Sequence, residues 1–249
     1  MDIIKQQREW MKSGFAESED MESDQQLKLP QPPIQKPYDE NTNKIDLPIV
    51  NESILKNINI FDIFNERISH RSFSSEYISL SELSFLLWAT QGVKTVKGHN
   101  YATLRPVPSA GARHPFETYI VVNRVEGLKN GAYRYLPLTH QLIYIFEVEN
   151  SQEKLSVLTL GQKFVGKSAV TFIWSVIPYR GEWRYKNVAH KAMILDAGHV
   201  CQNLYLACEA IGCGTCAIAA YDQMEFDRFL NLDGNEEFVI YLAPVGKIP

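Results

Sequence analysis

The chain lacks the marks of several large function classes. It has no basic excess: 25 Lys and Arg stand against 29 Asp and Glu in 249 residues, a formal charge of −4. Nothing here would displace counterions along a nucleic acid. No apolar run approaches the roughly 20 residues that a membrane helix needs. The opening MDIIKQQREW has no long apolar region of a secretory signal, so a cytoplasmic protein is expected. There is no Gly-x-Gly-x-x-Gly dinucleotide fingerprint. Cysteine is scarce, and all four (Cys201, Cys208, Cys213, Cys216) fall in one short stretch, unlike a secreted disulfide framework. Cys213 and Cys216 have redox or zinc-ligand spacing, but a structural zinc needs a second pair of ligands. Cys201 and Cys208 read as core on one face of a helix. His190 and His199 do not have metal spacing, and no metal is expected.

What is present supports a sizeable core: 45% of residues are apolar and 22% charged, ordinary for a globular domain. Residues 1–50 differ from the rest. Ala16 to Gln26 is acidic and polar, and Leu29 to Tyr38 is proline-rich and therefore extended. This reads as an arm, partly docked through Trp10, Leu29 and Tyr38, ahead of one domain over 51–249.

Apolar residues at helical spacing (Ile54, Ile58, Phe61, Phe64, Ile68) predict a helix over 53–68. Ser79 and Glu82 form a capping-box pattern that opens a helix to Val93. Strands are predicted at 116–125, 169–177 and 238–246. A hairpin is predicted over 131–148, with His140 solvated at its turn. Ser151 is read as capping a short helix to Leu160. The longest helix is expected over 188–211, between Asn187 as cap and Gly212 as stop. Asp222 and Glu225 open a last helix. Residues 94–104 and 178–187 are read as loops.

Three stretches can carry chemistry. In Arg105 to Glu117, prolines stiffen the backbone, and Ser109-Ala110-Gly111-Ala112 would let backbone N–H groups approach a flat or anionic ligand. A tight structural loop is the other reading. Arg67 and Arg71, with Ser69 between them, suit a phosphate, because guanidinium forks bind its oxygens bidentately. An exposed basic patch is the alternative. In Pro178 to Asn187 aromatics are interleaved with basic residues.

Together with LDAGHVCQNLYLACEAIGCGTC (Leu195 to Cys216), the Arg-x-x-Pro-Ser-Ala-Gly-Ala stretch and the Arg67–Phe73 run resemble the SagB-type, thiazole- and oxazole-forming dehydrogenases. These are a branch of the FMN-dependent nitroreductase superfamily. The resemblance covers about Ser53 to Lys247. It implies an α+β fold, a mixed and mostly antiparallel sheet flanked by helices. It also implies an obligate homodimer with FMN at the interface. Arg67, Ser69 and Arg71 of one subunit would grip the ribityl chain and phosphate. Arg105 and the loop Pro108, Ser109, Ala110, Gly111 and Ala112 would come from the other. Gln162 would lie at the flavin edge, Ala219 and Ala220 would offer N–H groups to N5 and O4, and Lys247 would assist the phosphate.

Azoline-oxidising relatives place a catalytic Lys-Tyr pair where this chain has Arg184-Tyr185, and an arginine cannot serve as a base at neutral pH. The resemblance implies hydride transfer through flavin N5. The reaction would be azoline dehydrogenation, or reduction of nitro, quinone or enone compounds with NAD(P)H as donor. The substrate would be a small molecule or a modified peptide, with no nucleic acid or membrane involved. The alternative is a non-catalytic flavin-binding or scaffold subunit of a peptide-modifying complex.

Overall fold

The computed structural model describes residues 2–18 and 20–249, with Ser18 described by its backbone alone. Met1 and Glu19, which belong to the opening stretch and the acidic tract, lie outside the described residues. In chain order the helices and strands are α1 (Ile3–Trp10), β1 (Lys44–Asp46), α2 (Ile60–Glu66), α3 (Leu80–Gln91), β2 (Thr95–Lys97), β3 (Ala102–Leu104) and β4 (Phe116–Val122). There follow β5 (Gly131–Leu136), β6 (Gln141–Phe146), α4 (Ser151–Leu158), α5 (Lys163–Gly166) and β7 (Val170–Val176). The chain ends with α6 (Tyr179–Tyr185), α7 (Ala189–Ala210), β8 (Cys213–Thr215), α8 (Gln223–Phe229) and β9 (Phe238–Lys247). The α+β class is as expected.

Among the described residues the main sheet has seven strands in the order β1-β6-β5-β4-β7-β9-β8, and its neighbouring strands pair antiparallel. Ile78 and Val125 add an isolated parallel bridge. β4 and β7 are buried at every position, which is why both read as continuous apolar runs rather than alternating ones. Side chains alternate across β4: Phe116, Ile120 and Val122 join the core layer that also contains Leu83, Leu87, Val200 and Leu204 of α3 and α7. Tyr119 and Val121 point to the opposite layer, with Leu155, Val165 and Phe226 of α4, α5 and α8. The capping box of α3 is formed as expected from both sides, Ser79 to Glu82 and back.

Several expectations are corrected. The helix over 53–68 is broken: a single 3-10 turn at Glu52–Ile54 is separated from α2, which Asn59 caps by accepting from Phe61 N at 3.0 Å. Its apolar periodicity does not mark a core face, since Phe61 is 73% and Phe64 59% exposed. Residues 178–187 contain helix α6 rather than a loop; Pro178 starts it with φ −55, the value its ring presets for a helix, and Trp183 and Arg180 are buried. Residues 94–104 hold the β2–β3 hairpin. His140 is not solvated: its Nε2 meets Ser84 Oγ and its Nδ1 meets Tyr135 Oη, both at 2.7 Å. Burial lowers its pKa. Ser151 does not cap α4 but donates to Asn123 Oδ1 at 2.5 Å, and Val188 rather than Asn187 precedes α7.

The proline-rich segment is bonded to the body. Trp183 Nε1 donates to Leu29 O at 3.1 Å, Arg180 Nε to Pro33 O at 2.8 Å, and Arg134 Nη2 to Pro37 O at 3.1 Å. Gln25 N donates to Trp183 O at 2.9 Å and Tyr179 Oη to Asp24 Oδ2 at 2.9 Å. Extended proline-rich backbone has no internal hydrogen bonds, so its carbonyls are free to accept from α6 and β5. Among the described residues no helix is long and apolar enough to cross a membrane.

Candidate functional site

The loop between β3 and β4 is held in an unusual backbone conformation. Gly111 (φ 58), Ala112 (φ 53) and His114 (φ 43) all lie in the left-handed region. For the two non-glycine residues that costs roughly 1–3 kcal/mol each, so the surroundings must over-determine it. Asp196 of α7 does much of this. Its Oδ2 accepts from Ser109 Oγ at 2.6 Å and from Ala110 N at 3.1 Å. Ser109 Oγ in turn accepts from His114 N at 2.9 Å. Arg113 fixes the far side by donating to Arg180 O at 3.3 Å and Tyr101 O at 3.0 Å, with its guanidinium 5.0 Å from the Trp183 ring. Burial, and next the Arg105 charge, pushes the His114 imidazole down to about 3.

Helix α6 delivers Arg184 and Tyr185 to this loop. A Cβ added to Gly111 would lie 2.5 Å from Tyr185 Oη and 3.1 Å from Arg184 Cδ, so the glycine is what lets these side chains lie against the backbone. The Arg184 guanidinium stands 5.3 Å from the Tyr185 ring. Arg105 is placed differently from the exposed end of the loop. It is buried, donating from Nε to Thr103 Oγ1 at 3.0 Å and from Nη1 to Gln91 Oε1. Burial, and next the Arg180 charge, brings it down to about 10.

A second group of residues assembles around Tyr205 of α7. The Arg67 guanidinium sits 5.3 Å over its ring, and Ser69 Oγ lies 2.9 Å from its hydroxyl. The same hydroxyl accepts from Ala217 N at 2.8 Å. His70 N donates to Thr215 O at 2.9 Å, and a Cβ on Gly214 would be 2.6 Å from the His70 ring, so the segment lies tightly on β8. Arg71 is exposed. Gln162 Nε2 donates to Ala220 O at 2.8 Å, tying it to the loop of Ala219 and Ala220, both exposed. The N–H groups of Ala219 and Ala220 have no acceptor among the described residues. Lys247 is buried with its ammonium on Glu82 Oε1. Burial alone would lower that ammonium, but Glu82 outweighs it and holds it above its ordinary value.

Within one chain the two groups stay apart. Asp196 and Tyr205 anchor them nine residues apart on α7, an axial separation of about 14 Å. Sequence reasoning missed the roles of both anchors. A carboxylate and a phenol inside a long helix carry no signature of the loops they hold. The four cysteines are free and buried, and burial raises Cys201 to about 12 and Cys213 to about 11, away from thiolate chemistry at neutral pH.

Asp196→Ala is expected to cost about 2–3 kcal/mol, because the half-buried donors of Ser109 and Ala110 lose a charged acceptor. Asp196→Asn, which keeps one acceptor, should cost less; urea unfolding of both checks this. Burial raises the Asp196 carboxyl above its ordinary value despite Ser109 and Ala110. The part of stability linked to its protonation is therefore full below the ordinary carboxylate pKa and lost as pH rises through the folded value, while the hydrogen bonds from Ser109 and Ala110 persist to the ionised form.

The sequence pattern of the Nitroreductase family matches residues 65–247. A nitroreductase-named protein of Methanocaldococcus jannaschii is 31% identical over 83% of this chain and 98% of its own length. The trifolitoxin-processing protein TfxB of Rhizobium leguminosarum is 33% identical over 54% of this chain, and the microcin B17-processing protein McbC of Escherichia coli 26% identical over 52%. The matches span 38% and 49% of those two proteins. Among solved structures, a nitroreductase-named protein from Anabaena variabilis superposes with a TM-score of 0.69 at 26% identity, covering 86% of this chain and 44% of that one. The McbBCD microcin synthetase complex of Escherichia coli, with truncated pro-MccB17 bound, contains a chain of the same fold (TM-score 0.62, 20% identity, 84% of this chain and 79% of that chain).

Proposed function

The chain belongs to the nitroreductase family, and we propose that it is an FMN-dependent oxidoreductase acting as a homodimer. The observation that carries this reading is the pair of half-sites held apart by α7, one at Asp196 and one at Tyr205. Neither is complete alone. A second chain would bring the Arg67–Arg71 segment of one protomer to the 108–112 loop of the other. Ile194 and Leu195 of α7 (48% and 56% exposed) and Phe61 and Phe64 of α2 would then be covered. Covering exposed apolar groups is what an association surface does.

The residues fit the flavin. Arg67 and Arg71 would neutralise its phosphate, and Ser69 would bind its side chain. The unpaired N–H groups of Ala219 and Ala220 would meet charge on the reduced ring, with Gln162 holding their loop in place. Pro108 to Ala112 would present small side chains to a flat face, with the N–H groups of Ala110 and Ala112 already given to Asp196 and Ser109 O. When bound, FMN would supply the hydride chemistry, and the protein would orient it. Arg105 and Lys247 act behind this surface, Arg105 bracing the loop from α3 and Lys247 fixing the end of β9 to Glu82. Tyr185 would hold a proton near the substrate. Arg184 would stay charged and could not act as the base, which favours reduction of small nitro, quinone or enone compounds with NAD(P)H over azoline dehydrogenation.

A second reading is supported by the likeness to two peptide-processing proteins, TfxB and McbC: a peptide-modifying subunit, catalytic or not, of the SagB-type branch. The first experiment is a visible absorption spectrum of the purified protein with identification of the released chromophore. A yellow protein with roughly one FMN per chain, dimeric by light scattering, is expected. A colourless monomer that takes up no added FMN would sink the proposal. Turnover of NADPH with a nitroarene but not of an azoline peptide selects the first reading. Flavin without turnover on any pair, together with a captured partner, selects the second.

A further inference from the structure

A cavity of about 350 Å3 adjoins Tyr185, on the α6 end that packs against the 109–112 loop. Its lining includes Phe15, Met21, Arg184, Tyr185, Lys186 and Val188. Phe15 meets the Tyr185 ring edge-on with centroids 6.0 Å apart. Phe15 and Met21 precede the stretch that matches the family pattern, residues 65–247, so that pattern does not account for this wall.

Among the described residues that line the cavity, the charged side chains are Arg184 and Lys186, and none is a carboxylate. Arg184 and Lys186 have no acidic partner among the described residues. Of the acids on the surrounding elements, Glu182 pairs with His190 at 2.7 Å, Glu117 with Arg180 at 2.6 Å, Asp196 with Ser109 and Ala110, and Asp24 with Tyr179 Oη at 2.9 Å, while Glu17 lines an adjoining cavity that shares Met21. Burial lowers the Arg113 pKa first; Tyr101 and Tyr185 oppose this, and the charges of Arg184 and Arg180 add to it.

Lys186 also sits at φ 49, ψ −138 between α6 and α7, a conformation that glycine would fill without strain. Strain of this kind collects at ligand clamps. Phe15, Met21, Tyr185 and Val188 give the cavity apolar walls for a flat body, and its polar members Ser23 and Gln26 are bonded to each other at 2.9 Å.

We infer that this cavity binds a planar organic anion, an aromatic or heteroaromatic carboxylate, with its ring beside Phe15 and Tyr185 and its carboxylate on Arg184 and Lys186. As an assignment of substrate class this rests on the flavin reading of the adjoining loop; as a binding site it does not. A guanidinium takes a carboxylate through two parallel hydrogen bonds, and an ammonium adds a point charge. In a half-enclosed site both count for more than on an open surface.

The test is calorimetric titration of the full-length, flavin-loaded protein with 4-nitrobenzoate and with neutral 4-nitrobenzamide of the same shape. Flavin content is read by absorbance. The benzoate is expected to bind about tenfold more tightly at low salt, with the gap narrowing as salt rises. Lys186→Met should cut the ratio to about threefold or less, and Lys186→Arg should keep it. Lys186→Gly relieves the positive φ while removing the charge, so an equal loss there cannot come from misfolding. Equal affinity for the two ligands, or a ratio unchanged in both the Met and Gly variants, would overturn the inference. A flavin-loaded protein with a ratio of one removes the anion site and leaves the flavin reading standing. A protein that discriminates the ligands but takes no flavin does the reverse.

Discussion

Replacing Arg180 by methionine is expected to lower the unfolding free energy by about 3–5 kcal/mol, the usual result of breaking a buried ion pair from one side. Arg180 is 2% exposed, and its Nη2 donates to Glu117 Oε1 at 2.6 Å. The same carboxylate oxygen accepts from Lys36 N at 2.7 Å, and Arg180 Nε holds Pro33 O. One side chain therefore joins α6, β4 and the proline-rich arm. Methionine fills much of the volume but leaves the buried Glu117 charge with one hydrogen-bonding amide, Lys36 N, and the Arg105 charge nearby. For a chain of this size the loss corresponds to roughly 6–20 °C in Tm.

The pair is not ideally satisfied, since Arg180 Nη1 and Glu117 Oε2 find no partner among the described residues. The double variant Arg180→Met, Glu117→Leu should accordingly recover most of the loss, because removing both charges also removes their desolvation cost. Thermal and urea melts of the single and double variants decide the matter. A single-variant loss under about 1 kcal/mol would mean that water or a neighbouring group already solvates Glu117.

The second large effect is expected at Gly111, where function should fall more than stability. Gly111→Ala puts a methyl group 2.5 Å from Tyr185 Oη, at a backbone φ of 58 that disfavours any side chain. The left-handed penalty alone is about 1–2 kcal/mol, and the clash adds to it. The loop or Tyr185 must move, and if the loop faces the flavin as proposed, a shift of that size should weaken FMN binding about tenfold or more.

The two contributions can be separated. Tyr185→Phe deletes the atom nearest the new methyl group. In that background Gly111→Ala should retain only the backbone part of the loss. FMN dissociation constants for the four proteins, by fluorescence titration, give the coupling between the two positions. Strictly additive losses would show that Tyr185 does not lie against the loop in solution.

The layers of the fold follow from local sequence. FETYIVV and AVTFIWSVI are too continuously apolar for a half-exposed strand, and both prove to be central strands buried on both faces. Ser79 and Glu82 announce the start of α3 through chemistry that needs only neighbouring residues. The same reasoning fails where burial is decided from a distance. The spacing of Ile58, Phe61 and Phe64 is helical, yet these residues are exposed, because periodicity reports an apolar face and not what covers it. PYRGEWRYKN reads as a loop by its charges, but α6 forms because Arg180 and Trp183 find buried partners in β4 and the arm. His140 reads as a solvated turn residue because nothing in its neighbourhood names Ser84, 56 positions away.

The sequence by itself determined which segments could carry chemistry: the small-residue run 108–112, the Arg67–Arg71 pair and the Arg184–Tyr185 dipeptide, each marked by backbone freedom or charge that adjacent residues confer. Tertiary structure alone decided how they are used. It placed Asp196 under Ser109 and Tyr205 beside Ser69, and turned Arg105 and Lys247 inward. It also brought the N-terminal Phe15 to the Tyr185 ring. These are contacts between residues far apart in the chain. Their free energy comes from burial and from hydrogen bonds closed in a low-dielectric interior, and no local pattern encodes it.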